Sequence, residues 1–388
     1  MVKLSRWLRA SGVALAIVLF QWAIVVYATG KPGPRDADQS LYQWDSVWYG
    51  AIADHGFWKA LPAPGEHAGR QTVAWFPGYP LTARWFGAAL GLPTPAALLW
   101  AARFEAWIFW TYLVLLLLRA SVSWRGILLV VVPIVSYPSA FYMVSGYAES
   151  LFMASVVGFC FWLSSPEKSA EAWAAIHGFG ASATRLVGLP LALVPLLFRK
   201  PGQLGKAVVL CALSSLGCVL FFAFYQVKFG AWDLYMSTQK TNWGISPDFM
   251  ALIHPSTYRP CVSDLGFGCL DRSAVAGGAA LLVGATAAIL KYGRQALPVA
   301  LLLSGWVSFG ISVAGLATKG MESLIRYSFP SVAFVAVAMG LMLEQFPTWR
   351  RKRVFRIGGW FSVLTASAFM LWLQKQLIER FSSGQWVS

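Results

Sequence analysis

Charged residues are scarce in this sequence, and acidic ones are the scarcest. Asp, Glu, Lys and Arg together make up 12% of the 388 residues, and only 16 residues are acidic. Soluble domains carry about a quarter charged residues. The deficit excludes an ordinary soluble domain, and the 57% of hydrophobic residues indicates a chain that lies in a bilayer.

Cysteine and histidine are also few, and their spacing excludes the common metal and redox motifs. The five cysteines form no C-x-x-C pair, so neither a zinc site nor a redox dithiol is supported. Cys261 and Cys269 lie eight residues apart in a polar segment, where an oxidising compartment would permit a disulfide. The histidines are too scattered to predict a metal site: His55, His67, His177 and His254.

Long apolar runs are abundant instead, and we predict nine transmembrane helices from them, since about 20 apolar residues cross roughly 30 Å of hydrocarbon. Residues 172–198 are apolar too, but glycines and Pro190 interrupt them. We interpret this stretch as a re-entrant hairpin of two half-length helices, because broken backbone at membrane depth must lie inside protein or line a cavity. One full span plus an interfacial helix is the alternative. The predicted spans are 10–29, 94–118, 126–143, 147–164, 206–229, 273–290, 296–316, 328–345 and 357–377.

The distribution of basic residues between the two sides of the membrane tests this layout. With a cytoplasmic N-terminus, the inside segments hold sixteen basic and three acidic residues, and the outside segments thirteen basic and twelve acidic ones. This asymmetry is the positive-inside pattern, so the formal charge of +15 needs no nucleic-acid partner. We expect the first span to remain as an anchor, because its apolar run exceeds the core of a signal peptide. Arg103 and Glu105 lie within one span, where we expect them to face each other.

The long outer segments, residues 30–93 and 230–272, are the expected place for chemistry on water-soluble groups. No repeat or linker divides the chain, so residues 1–388 are read as one domain. In the first outer segment Asp45, Trp48, Tyr49 and Ile52 share one face of a predicted amphipathic helix, by their spacing of three, four and seven residues. A carboxylate there would accept a proton from a sugar hydroxyl while the rings stack on the sugar. A solvated surface Asp, or a helix N-cap, is the alternative.

Several ordered motifs in this sequence resemble one family of membrane enzymes. The most specific block is Trp44-Asp45-Ser46-x-Trp48-Tyr49-x-x-Ile52-Ala53-x-x-Gly56-Phe57, followed by Phe76-Pro77-x-Tyr79-Pro80. Further pieces follow in order over residues 40–335: Gly146 to Phe152, Ala183-Thr184-Arg185-x-x-Gly188, Phe229-Gly230 with Gln239 and Trp243, and Arg326-Tyr327-x-Phe329-Pro330. The set resembles the PIG-V family, which includes the second mannosyltransferase of GPI-anchor assembly and its bacterial relatives.

The resemblance implies an all-α polytopic fold of the C superfold of glycosyltransferases. It also implies an inverting mannosyl transfer from a polyprenyl-phosphate-mannose donor, with no other cofactor, and it makes Asp45 the general base. We expect Arg326, and Arg185 at the tip of the hairpin, to bind the donor phosphate. An interfacial anchor for Arg326 and a structural ion pair for Arg185 are the alternatives.

The remaining predicted substrate-binding residues have weaker support. Glu149 would hold an acceptor hydroxyl, or simply favour a helix N-terminus. The others are Trp44, Trp48, Tyr49, Tyr79, Gln239 and Trp243, and surface-loop roles are the alternative for the last two.

The predicted setting is a bacterial plasma membrane with the site facing outward. The partners are then membrane lipids and an acceptor hydroxyl of a glycolipid, a glycan or a protein, and an accessory membrane subunit is compatible with this picture. A flippase of lipid-linked sugars and a non-catalytic scaffold for a partner transferase are the competing functions.

Overall fold

The computed structural model describes residues 4–57, 71–261, 267–293, 295–343 and 353–387. Within these ranges every regular element is a helix, and seven helices are long and apolar enough to cross a membrane. Three shorter apolar helical stretches, Trp124–Ser136, Glu149–Leu163 and Gly188–Leu197, lie among them. The predicted all-α polytopic architecture is confirmed, and the chain is an integral membrane protein.

The helix bounds follow the apolar runs closely. In chain order the α-helices are α1 Leu4–Thr29, α2 Pro34–Ser40, α3 Asp45–His55, α4 Gly78–Leu90, α5 Thr94–Arg119, α6 Trp124–Ser136, α7 Glu149–Leu163, α8 Ala170–Thr184, α9 Gly188–Leu191, α10 Leu204–Phe229, α11 Leu234–Trp243, α12 Phe267–Tyr292, α13 Ala296–Leu316, α14 Leu324–Tyr327, α15 Phe329–Met342 and α16 Arg353–Ser382.

One span was predicted too long. The sequence predicts a helix to residue 143, but α6 ends at Ser136 and residues Ala140–Val144 form a separate 3-10 turn. Pro138 follows Tyr137, and a residue before proline is sterically disfavoured in the helical conformation. The short α6 leaves the segment between α6 and α7 buried at one end of the helix, where it lines the site described below.

The predicted break within residues 172–198 is present. α8 ends before Arg185, whose backbone is extended, and the chain continues as α9 and a 3-10 turn over Val194–Leu197. α8, α9 and this turn all contact α10, and Gly188 packs directly on the carbonyl of Ala181. The two pieces therefore double back beside α10, with Arg185 at the turn.

The outer segments carry their own short helices. α2, α3 and α4 belong to the first outer segment, as predicted, and α11 belongs to the second. Cys261 and Cys269 form a disulfide at the end of the second segment. Residues 58–70 of the first segment and 262–266 of the second lie outside the described residues.

The predicted contact between Arg103 and Glu105 is wrong. Positions two apart on a helix point to different sides of it, and Arg103 instead binds Asp38 of α2, with Nη1–Oδ2 at 2.9 Å and a second bond from Nη2. The indole of Trp22 donates to the same carboxylate at 3.1 Å. Glu105 is buried on another face of α5, and neither of its oxygens has a partner among the described residues.

The Arg103–Asp38 pair should stabilise the fold. We expect Arg103→Met to lower the apparent midpoint of thermal unfolding in detergent, because the pair is largely buried, with side chains 9% and 23% exposed, and breaking a fully buried pair costs about 3–5 kcal/mol. Lys206→Met is the control, since its pair with Glu171 spans 3.5 Å with both side chains more than 60% exposed, and exposed pairs contribute little. Equal midpoints for the two variants would contradict this assignment.

Candidate active site

Asp45 is the first residue of α3 and lies at the mouth of a buried polar cluster. The residue before it, Trp44, has a φ of +55°, which is uncommon for a side chain of this size. This turn ends the preceding segment and starts α3 at Asp45. The Asp45 side chain is 17% exposed and points to Arg326 rather than capping the helix. It is therefore neither a solvated acid nor an N-cap in this structure.

Four charged side chains from distant parts of the sequence form one connected network, which we call the charge quartet: Asp45, Glu149, Arg185 and Arg326. Arg326 Nη1 lies 2.6 Å from Asp45 Oδ2, and Arg326 Nε lies 2.6 Å from Glu149 Oε1. Arg185 Nη2 lies 2.6 Å from the same Glu149 oxygen. Two cations and two anions meet here, so the formal charges of the quartet cancel.

Exposure differs across the quartet. The Glu149 side chain is completely buried and that of Arg326 is 6% exposed, whereas Arg185 and Asp45 are 14% and 17% exposed. The second Glu149 oxygen, Oε2, has no partner among the described residues. A ligand arriving from outside therefore reaches Asp45 and Arg185 first, and Glu149 forms the floor.

Tyrosine rings surround the Arg326 guanidinium. Its carbon lies 4.5 Å from the ring centre of Tyr147, 4.8 Å from Tyr142 and 5.2 Å from Tyr327, within the range of cation–π attraction. Burial raises the pKa of the Tyr142 and Tyr147 phenols further above their usual values, so both remain neutral at physiological pH. Sequence reasoning did not select these rings; Tyr147 and Tyr327 lie inside the quoted motifs, but nothing in the sequence marks Tyr142.

Tyr49 and Tyr79 lie behind the site. Tyr49 packs edge-on against Tyr79 at 5.2 Å and against Tyr147 at 6.4 Å. Tyr79 has no exposed surface, and its hydroxyl donates to the carbonyl of Leu98 at 2.6 Å. In this structure Tyr79 supports Tyr49 from behind, and its substrate-binding role stays a prediction.

The two outer segments meet through tryptophans beside α3. Trp48 stacks flat on Trp75 at 5.0 Å, and the edge of Trp243 meets Trp75 at the same distance. Gln239 donates to the Ala74 carbonyl at 2.9 Å. The structure thus brings together three of the predicted binding residues, Trp48, Gln239 and Trp243. Trp75, which was not among the predicted residues, packs between the two tryptophans.

The end of the described chain also borders the site. The indole of Trp386 meets Trp44 edge-on at 4.9 Å and donates to Glu322 at 2.9 Å. Phe381, near the end of α16, packs on Tyr142 and Tyr147. No pattern in the sequence indicates these contacts.

Across the described ranges, no three His, Cys, Asp or Glu side chains cluster closely enough to hold a metal ion.

Comparison with known proteins identifies the fold. No family model and no curated protein matches the sequence. Two solved structures of the Archaeoglobus fulgidus oligosaccharyltransferase AglB are similar, one in complex with an inhibitory peptide and a dolichol-phosphate and one in the apo form. Both have a TM-score of 0.51, with 12% and 13% identity over 94% and 97% of this chain. The chain has the GT-C fold. It spans 56% of the length of those chains.

Glu149 should be the residue on which the site's stability depends most. We expect Glu149→Gln to lower the apparent midpoint of thermal unfolding strongly, because removing one partner of a buried ionic network costs about 3–5 kcal/mol, and here two guanidinium groups lose their shared carboxylate. The matched control is Glu171→Gln, since Glu171 is 61% exposed and pairs with Lys206 at 3.5 Å. A Glu149→Gln midpoint equal to that of the control would show that Arg185 and Arg326 are compensated elsewhere.

Proposed function

We propose that this protein is an inverting mannosyltransferase that takes mannose from a polyprenyl-phosphate carrier and transfers it to an acceptor hydroxyl on the outer face of the membrane. One observation carries the proposal: the Asp45 carboxylate and the Arg326 guanidinium meet at 2.6 Å in a GT-C fold. A proton acceptor and a phosphate-binding cation are the two groups that such a transfer requires.

The donor class is argued from the fold and the charges together. The structure of AglB that shares this fold was solved with a dolichol-phosphate, which is a lipid phosphate. A phosphate is recognised best by guanidinium groups, which offer paired donors, and Arg185 and Arg326 provide two at one place. Mannose as the sugar rests on the resemblance of the sequence motifs to the PIG-V family.

The reaction then proceeds at a single carbon. The acceptor oxygen attacks the anomeric carbon of mannose, and the bond from that carbon to the phosphate oxygen breaks with its electron pair staying on the phosphate. Asp45 accepts the hydroxyl proton as the new bond forms. Arg326, with Arg185, stabilises the charge on the departing lipid phosphate. A β-linked donor gives an α-mannoside by this route.

The resting network implies an exchange of partners when the donor binds. Arg326 Nη1 holds Asp45 while its Nε holds the fully buried Glu149. A phosphate that binds Arg326 therefore competes with the more exposed Asp45, whereas Glu149 stays in place. Asp45, once released, has its oxygens free to accept a proton from the acceptor. This sequence of events keeps the base engaged until a donor is present.

The cellular setting follows from the charge asymmetry of the sequence. A cytoplasmic N-terminus places α2, α3, α4 and α11 outside, and with them the mouth of the quartet. We infer a bacterial plasma membrane, in which the lipid-linked donor enters sideways from the outer leaflet. The acceptor is a hydroxyl of a glycolipid, a glycan or a protein, and the tryptophans beside α3 offer flat apolar faces for a sugar.

Asp45→Asn tests the proposed base. We expect the variant to insert and fold but to lose about 10²–10⁴-fold in turnover, the usual contribution of a positioned base. The measurement is transfer of labelled mannose from polyprenyl-phosphate mannose by purified protein in nanodiscs supplied with membrane lipid extract.

Asp54→Asn is the matched control, because Asp54 lies on the same helix and accepts a hydrogen bond from Thr94 away from the quartet. Wild-type turnover in Asp45→Asn would remove Asp45 from this role. Donor binding without turnover by the wild type, across a broad acceptor panel, would favour the flippase or scaffold function instead.

A further inference from the structure

Arg326 follows a backbone turn of uncommon conformation. Gly320, Met321 and Ser323 all have φ between +65° and +71°, and a left-handed conformation costs roughly 1–2 kcal/mol for a residue with a side chain. The short α14 begins directly after this turn and carries Arg326. Such a turn persists only where surrounding contacts fix it.

Asp271 supplies two of these contacts. Its side chain is completely buried in the first part of α12. Oδ2 accepts from the amide of Ser323 at 2.9 Å, and Oδ1 accepts from the amide of Ile325 at 2.7 Å. Both carboxylate oxygens therefore bind the backbone of the turn.

Ile325, the residue before Arg326, is held at its carbonyl group as well as at its amide. The hydroxyl of Ser139 donates to the carbonyl of Ile325 at 2.8 Å, while Asp271 holds the amide of the same residue. Ile325 is thus fixed from α12 on one side and from the segment after α6 on the other. Arg326 is the next residue, so the position of its Cα follows from these bonds.

The disulfide restrains the part of α12 that carries Asp271. Cys269 lies two residues before Asp271 and is bonded to Cys261. The hydroxyl of Ser273 donates to the carbonyl of Cys261 at 3.2 Å. The first described turn of α12 is therefore tied to the end of the second outer segment on both sides of Asp271.

We propose that Asp271 is a positioning residue that sets the place of the Arg326 guanidinium in the site by binding the backbone of residues 323–325. This inference rests on the proposed function of Arg326 as the phosphate-binding group. Asp271 contacts the turn and not the reacting atoms, so we expect its loss to act through Arg326. Misplacing a binding group by about 1 Å can cost roughly 10²-fold in rate.

Asp271→Asn is the test variant, because it keeps the shape of the side chain but presents an amide NH₂ to one of the two backbone amides. We expect kcat/KM for polyprenyl-phosphate mannose to fall about 10²-fold, with the increase in donor KM larger than the fall in kcat. Asp248→Asn is the control: Asp248 also caps a short turn, but its side chain bonds the amide of Met250 at 3.0 Å and not the backbone of residues 323–325. We expect its kinetics to equal those of the wild type.

A double-mutant cycle separates positioning from general damage. If Asp271 acts through Arg326, Asp271→Asn should change kcat/KM little in an Arg326→Lys background, since the group that it positions is already altered. A loss of the same size in both backgrounds would overturn the proposal. Should Asp271→Asn not be recovered folded, Ser139→Ala releases the other end of Ile325 and is expected to show the same dependence on Arg326.

Hydrogen exchange tests the contact independently of turnover. We expect faster exchange in the peptide covering residues 320–328 in Asp271→Asn than in the wild type or in Asp248→Asn, because two amides lose a carboxylate. Unchanged exchange would overturn the proposal even if activity fell. A wild-type protein that transfers no sugar from any lipid-phosphate donor would overturn the proposed function, while the exchange measurement would still decide whether Asp271 holds the turn.

Discussion

The site depends on one oxygen atom, Oε1 of Glu149, which binds Arg185 and Arg326 at 2.6 Å each. An isolated charge at this depth is expensive, and each of the three groups is tolerated because the others are present. The shared oxygen joins α7, the tip of the broken hairpin and the turn before α15. Asp45 completes the network from the outer segment, so a single buried carboxylate fixes four parts of the chain relative to one another.

The broken hairpin is what brings Arg185 to this oxygen. A continuous helix through residues 172–198 would carry residue 185 past the site, whereas the break at Arg185 turns it towards Glu149. Close approach to α10 makes the arrangement possible: a Cβ on Gly217 would lie only 2.5 Å from the backbone of Ala183 and of Phe179. Glycine there lets α10 pack directly on the end of α8, just before the charged turn.

The sequence predicted the elements of this protein better than their contacts. Apolar runs determine where helices lie because the bilayer imposes their length, and all four residues of the quartet were selected as single residues from their motifs. Their pairing was not predicted, since Asp45 and Arg326 are 281 residues apart. The expected Arg103–Glu105 contact was wrong because positions two apart on a helix face different sides, and the observed partner of Arg103, Asp38, is 65 residues away. Tyr142, Trp386 and Asp271 act through tertiary contacts, and no local pattern marks such residues.

The long separation between the members of the quartet also constrains how the protein is made. Asp45 and Glu149 leave the ribosome well before Arg326, which lies 177 residues after Glu149. The nascent chain must therefore insert a buried acid whose second guanidinium has not yet been synthesised, and Arg185 is the cation that arrives first. The site closes only when the turn after α13 has been translated, so until then Arg185 alone balances the negative charges of Glu149 and Asp45.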